Sequence, residues 1–185
     1  MYTFEAGAGQ TVFFDDQGYL GQRPRWRLLD GGGEVLYDSS FGAFTATLTR
    51  DGIFVLQVYE PGDGIATYQF KLWSVPAPQR FPISIGDSVR NGIPAAGAGN
   101  IESPGVRDVY AFTATPGQML LFDDQGHSTS ALHLHLISPD GEIVYRGSDP
   151  FQDFTRTLRR AGTYTLAVFA SGDASGTYRF EIRTE

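Results

Sequence analysis

Near the start of the chain stands Tyr2-Thr-Phe-Glu-Ala-Gly-Ala-Gly-Gln-Thr-Val-Phe-Phe-Asp-Asp-Gln-Gly18, and it returns as Tyr110-Ala-Phe-Thr-Ala-Thr-Pro-Gly-Gln-Met-Leu-Leu-Phe-Asp-Asp-Gln-Gly126. Aromatics, Gly-Gln and Asp-Asp-Gln-Gly keep one register in both. A long duplication limits the fold more than composition can, because both copies must fold alike and each must bury its own apolar face. The match runs without a gap from Tyr2 to about Ala43 and from Tyr110 to about Phe151. A two-residue insertion near Asp149 and Pro150 follows. Phe44 to Trp73 then matches Phe154 to Arg183, with roughly two positions in five identical. The chain reads as two copies of one module.

Inside each copy the apolar residues alternate with polar ones, the period of a half-buried strand, and no segment sustains a helical period. Thr11 to Phe14 predicts a strand, with Asp15-Asp16-Gln17-Gly18 as a turn and residues 19–24 as loop. Trp26 and Leu28 then share one face, and Arg25 and Arg27 the other. Further strands are expected at Glu34–Tyr37, Phe44–Leu48, Phe54–Val58 and Thr67–Leu72. Inward positions match between copies: Trp26 with Leu134, Leu28 with Leu136, Phe54 with Tyr164, Tyr68 with Tyr178, Phe70 with Phe180. Short strands about every ten residues between Gly and Asp turns predict an all-β protein of two tandem antiparallel β-sandwiches.

Composition supports this and excludes several functions. Hydrophobic residues at 41% suffice for packed cores, while 23 Gly and 10 Pro favour many turns. A net charge of −7 counts against nucleic acid and against anionic membranes as partners, and mildly favours cations. No stretch approaches the roughly 20 apolar residues of a membrane-spanning helix. The opening Met-Tyr-Thr-Phe-Glu lacks the basic and apolar regions of a signal peptide. With no Cys, disulfide and thiolate chemistry are both excluded.

Three segments are expected: a first module at 1–74, a Pro-containing linker at 75–81 and a second module at 82–185. Ile83 and Ile85 alternate, so residues 82 to about 89 predict a strand leading into the second module. The first module has no counterpart, since its match begins where Val109 would stand. This predicts a first copy without its lead strand, as in a piece cut from a longer array. An exposed sheet edge, lower stability or dimerisation through that edge should follow.

Ile83-Ser-Ile-Gly-Asp-Ser-Val89, Arg107-Asp-Val-Tyr-Ala-Phe112, Pro116-Gly-Gln118, Leu132-His-Leu-His-Leu136, Pro139-Asp-Gly-Glu142, Ala161-Gly-Thr-Tyr-Thr-Leu166 and Gly176-Thr-Tyr-Arg-Phe180 follow one another in order. Their succession resembles the bacterial pre-peptidase C-terminal domain. The likeness covers residues 82–183 and, without the lead strand, residues 2–73. It implies a jelly-roll-like sandwich in secreted or cell-surface proteins, acting as an accessory module beside proteases. Some relatives bind matrix proteins or polysaccharide, and some bind calcium. In the calcium-binding relatives the ligands lie near the lead segment, where this chain offers only Asp87, Glu102 and Asp108.

Candidate sites are few. Asp15 and Asp16, with Asp123 and Asp124, could begin a calcium site, yet two carboxylates fall far short of the six to eight oxygens required. The competing reading is a turn closed by aspartate side chains. His133 and His135 project from one sheet face and could ligate zinc, but their counterparts are Arg25 and Arg27 and no third ligand is evident. Tyr59 and Phe169 match each other and offer a shallow aromatic ligand surface, against simple edge packing. No nucleophile elbow, carboxylate pair or phosphate loop is present, so no catalytic residue is assigned and no cofactor is required. The sequence therefore points to a non-catalytic extracellular or cell-surface module binding polysaccharide or a protein surface. The alternative is a structural spacer in a repeat stalk, stiffened by calcium.

Overall fold

Alternating apolar residues become strands throughout the computed structural model, which describes residues 1–147 and 151–184. The insertion expected near Asp149 and Pro150 lies outside the described residues. Among the described residues all regular structure is β, and the chain divides into two units, residues 1–76 and 77–185.

Unit one contains β1 (Tyr2–Ala6), β2 (Thr11–Gly21), β3 (Arg25–Leu29), β4 (Val35–Ser40), β5 (Phe44–Thr47), β6 (Gly52–Tyr59) and β7 (Ala66–Val75). They form two antiparallel sheets, ordered β1-β6-β3-β4 and β5-β2-β7. Between the sheets lie Phe14, Trp26, Leu28, Phe41, Leu48, Phe54 and Leu56, all essentially without solvent contact. Trp26 is in the core, as its parity requires.

Unit two contains β8 (Gln79–Pro82), β9 (Ser88–Val89), β10 (Asn100–Ile101), β11 (Arg107–Ala114), β12 (Met119–His127), β13 (Leu132–Ile137), β14 (Ile143–Gly147), β15 (Phe154–Thr157), β16 (Gly162–Ala170) and β17 (Gly176–Thr184). Strands β11 to β17 pair in the order of β1 to β7: β11-β16-β13-β14 in one sheet and β17-β12-β15 in the other. Registers also correspond. Phe4 stands opposite Phe54 as Phe112 stands opposite Tyr164, and Trp26 opposite Val58 as Leu134 opposite Val168. Unit two then adds β8 in parallel beside β11, with β9 and β10 pairing β17.

Two local expectations need correction. Asp15-Asp16-Gln17-Gly18 is no turn, and residues 19–21 are not loop: β2 runs straight through them. Between Asp16 and Tyr19 the register against β7 slips by one residue, a β-bulge, and β12 carries its counterpart between Asp124 and Gly126. The bulge needs backbone that only glycine adopts easily, with φ of +108° at Gly18 and +117° at Gly126. The Asp16 carboxylate accepts from the Gly18 amide at 2.8 Å, and Asp124 from that of Gly126 at 2.8 Å.

The strand expected over 82–89 is two strands on different sheets. Strand β8 begins earlier, within the stretch expected as linker, and ends at Pro82, after which the Ile83 amide still donates to the Ala111 carbonyl at 2.9 Å. Gly86, at φ +105°, then turns the chain, Ser84 donates its amide to the Asp87 side chain, and β9 joins β17.

Candidate binding face

Strand β13 buries Leu132, Leu134 and Leu136, so His133 and His135 project from the outer face of their sheet. Register then decides what stands around them. Arg146 pairs with His135, His135 with Ala167, Ala167 with Val109, and Val109 with Arg80, one row across five strands. In the next row His133 pairs with Phe169 and Phe169 with Arg107. Five strands at about 4.8 Å separation make this a track of roughly 19 Å.

Phe169 is the centre of the cluster. Its ring lies 5.5 Å from that of His133 with planes 22° apart, and 5.0 Å from His135 at 77°. The Arg107 guanidinium sits 4.6 Å from the ring centroid, in cation–π contact. His135 titrates below the ordinary histidine range, first because it is partly buried and then because Arg146, Arg107 and His133 face it. Among the described residues, Arg80, Arg107 and Arg146 form no ion pair.

Unit one presents the same positions in a closed arrangement. Arg25 and Arg27 replace the histidines, Tyr59 replaces Phe169, and Asp38 stands where unit two has Arg146. Asp38 meets Arg25 at 2.9 Å and Arg27 at 2.6 Å, and accepts from the Tyr59 hydroxyl at 3.1 Å. Those bonds, from Arg27 first and then Arg25, hold the Asp38 carboxyl below its usual range. Cations and acceptor are thus matched in unit one. Unit two offers its cations to solvent.

Of the residues singled out from sequence, Tyr59 and Phe169 do occupy equivalent outer-face positions, the first tied into the Asp38 cluster and the second in contact with Arg107, His133 and His135. Local strand patterns left out Arg80, Arg107 and Arg146, which only cross-strand register brings there. The available signal was the change of sign between copies, Asp38 against Arg146.

The four aspartates are not gathered together. Asp15 is buried and accepts from Gln17 and from the Trp73 indole at 3.4 Å, while Asp123 pairs with Arg183 at 3.1 Å. Asp16 and Asp124 hold their bulges, and Asp124 also meets His127 at 3.1 Å. Among the described residues no three His, Cys, Asp or Glu side chains come close enough to share a metal ion.

A second polar cluster lies inside unit two. Asp108 is fully buried and accepts from the Tyr178 hydroxyl and, at 3.4 Å, from that of Tyr110. The two phenols are 2.7 Å apart, and Gly99 donates its amide to Tyr110 at 2.8 Å. Burial, opposed by the Tyr178 bond and by the Asn100 backbone, pushes the Asp108 carboxyl up to about 6. The cluster is closed to substrate and cements the lead segment to the sandwich.

No family model matches this chain, and no curated protein sequence does. Solved structures show weak likeness. PliG of Aeromonas hydrophila, a periplasmic inhibitor of g-type lysozyme, is 12% identical with a TM-score of 0.45, covering 59% of this chain and all of that one. The pre-peptidase C-terminal domain of a Bacillus anthracis collagenase is 13% identical with a TM-score of 0.42, covering 58% and 98%. PliG of Salmonella Typhimurium is 18% identical with a TM-score of 0.41, covering 58% and 99%. At these values the comparisons assign no residue a role.

Proposed function

We propose that this chain is a non-catalytic binding segment of a secreted or cell-surface bacterial protein, with the outer face of β14-β13-β16-β11-β8 as its working surface for acidic polysaccharide. One observation carries the reading: Arg80, Arg107, Arg146, His133 and His135 share that face and, among the described residues, the three arginines form no ion pair, in a chain whose net charge is −7. Uncompensated cations on an acidic protein favour an anionic ligand locally, because charges beyond a Debye length of about 8 Å are largely screened at physiological salt. A linear polymer carrying a carboxylate on each sugar suits a row of cations running across five strands, because its charges repeat along one direction as theirs do. Phe169 packs between His133 and Arg107 and holds both on this face. The resemblance in motif order to pre-peptidase C-terminal domains agrees with this place and role.

The test is binding to immobilised polyuronate, a neutral glucan and a panel of matrix proteins. Retention on polyuronate alone is expected, weakening with salt. It should strengthen several-fold as the pH falls from about 7.5 to about 5.5, because a bound anion raises the depressed His135 pKa and so favours uptake of a proton. Equal retention on the neutral glucan would overturn the electrostatic reading, and retention on matrix proteins alone would move the function to protein recognition.

A further inference from the structure

The bulge in β12 leaves Gln125 without a partner on β17, since Asp124 pairs with Phe180 and Gly126 with Arg179. The freed Gln125 carbonyl accepts from Arg179 Nη2 at 2.5 Å. That bond holds the guanidinium over the bulge on the outer face of the sheet, because Tyr178 and Phe180 on either side point into the core. A Cβ on Gly126 would lie 3.0 Å from Arg179 Nη2, so glycine leaves the guanidinium its place. On the other side of β17 the segment between β9 and β10 supplies Arg90 and Asn91. Its backbone is fixed as well. The Arg90 amide donates to the Ile93 carbonyl at 3.2 Å and the Ile93 amide to the Arg90 carbonyl at 2.8 Å. Gly99, at φ +71°, packs so closely on this turn that a Cβ there would collide with the Arg90 carbonyl.

These elements wall an open pocket of about 420 Å³, with Arg90, Asn91, Gly126, Ser128, Thr177 and Arg179 in its lining. The lining holds two guanidiniums and no carboxylate, and among the described residues neither arginine forms an ion pair. Glu181, two residues on from Arg179, is engaged by the Gln125 amide at 3.2 Å. Unit one forms the same bulge with Gln69 in the place of Arg179 and Leu20 in that of Ser128, so the bulge does not require the charge.

We infer that this pocket binds a sugar carrying a sulfate or phosphate ester. Two guanidiniums reach it from different elements, and each presents a fork of N–H donors that matches the oxygens of a tetrahedral oxyanion. Their frames are set before a ligand arrives, which lowers the ordering cost of binding. The volume exceeds the needs of a bare oxyanion and falls in the range of about 300 to about 1,000 Å³ that takes a small organic molecule. Asn91, Ser128 and Thr177 add the amide and hydroxyl groups that sugar hydroxyls bond to. Strands β12 and β17 belong to the other sheet from the cationic face around Phe169, and this site does not depend on that reading.

The experiment titrates the full chain, by calorimetry at low salt, with a glucose sulfate ester, the matching phosphate ester, glucose and inorganic sulfate. Saturable binding of one ester per chain is expected, and the ester that binds tighter names the group. Arg179→Gln, which installs the residue of unit one, and Arg90→Gln should each weaken binding about tenfold or more. Both positions are exposed, so the variants should melt at the native temperature. Absence of saturable binding for both esters overturns the proposal. So does an equal affinity for glucose or for inorganic sulfate, or binding indifferent to both substitutions.

Discussion

Replacing Trp26 with alanine is expected to remove about 4 kcal/mol from unit one, the middle of the range for truncating a buried aromatic. Trp26 has no solvent exposure and meets four rings, with centroids at 4.4 Å for Phe41, 5.2 Å for Phe44, and 6.2 Å for both Phe14 and Phe70. Neighbours drawn from all three strands of the opposite sheet and from the loop before β5 cannot all move inward at once, so most of the cavity should persist. For a domain of this size about 4 kcal/mol corresponds to a fall in Tm of more than 15 °C. Fluorescence of Trp73 reports the transition, because Trp73 is then the sole tryptophan and belongs to unit one. Trp26→Phe should lose much less, since the indole Nε1 has no hydrogen-bond partner to forfeit. Similar losses for the two substitutions would mean that the site collapses and the ring cluster is not what holds the sheets together.

Asp108 gives the second large effect, and its sign is opposite to that of a salt-bridged carboxylate. Its folded pKa of about 6 lies above the ordinary value of 3.8, so the native state holds a proton that the unfolded chain has released between those limits. The contribution of Asp108 to stability should therefore be greatest below about pH 4, fall as pH rises through the interval, and level off above about pH 6. The loss amounts to about 2 kcal/mol, allowing for relaxation around the buried charge. Asp108→Asn keeps an acceptor for the Tyr178 hydroxyl and cannot ionise. Urea unfolding of both proteins from about pH 4 to about pH 8 should show the variant gaining on the native chain as pH rises. Parallel curves would show that Asp108 does not titrate in this window.

Much of the architecture was legible because strand parity is local information. Trp26 and Leu28 against Arg25 and Arg27, or the three leucines of β13 against its histidines, separate core from surface within five residues. The Asp-Asp-Gln-Gly bulge was misread because a bulge and a turn demand the same chemistry, a glycine at positive φ and an aspartate to bond the amide beyond it. Which one forms depends on whether the neighbouring strand continues, and here β7 and β17 do. The lead segment differs for a related reason: Ile83 and Ile85 alternate, yet the turn at Gly86 divides the stretch between two sheets. The binding face was hidden for a different reason. Arg80, Arg107 and Arg146 come from three strands, and only register puts them beside His133, His135 and Phe169.

Unit one shows how nature closes such a face, by placing Asp38 among its cations, and this supplies the decisive variant. Arg146→Asp introduces into unit two the acceptor that unit one has. At an exposed strand position it should change stability by less than about 0.5 kcal/mol. Polyuronate affinity, measured by calorimetry at low salt on the native chain and on Arg146→Asp, is predicted to fall at least tenfold, about 1.4 kcal/mol, with a shallower salt dependence. An unchanged affinity in a variant that melts at the native temperature would contradict a ligand-binding role for this face.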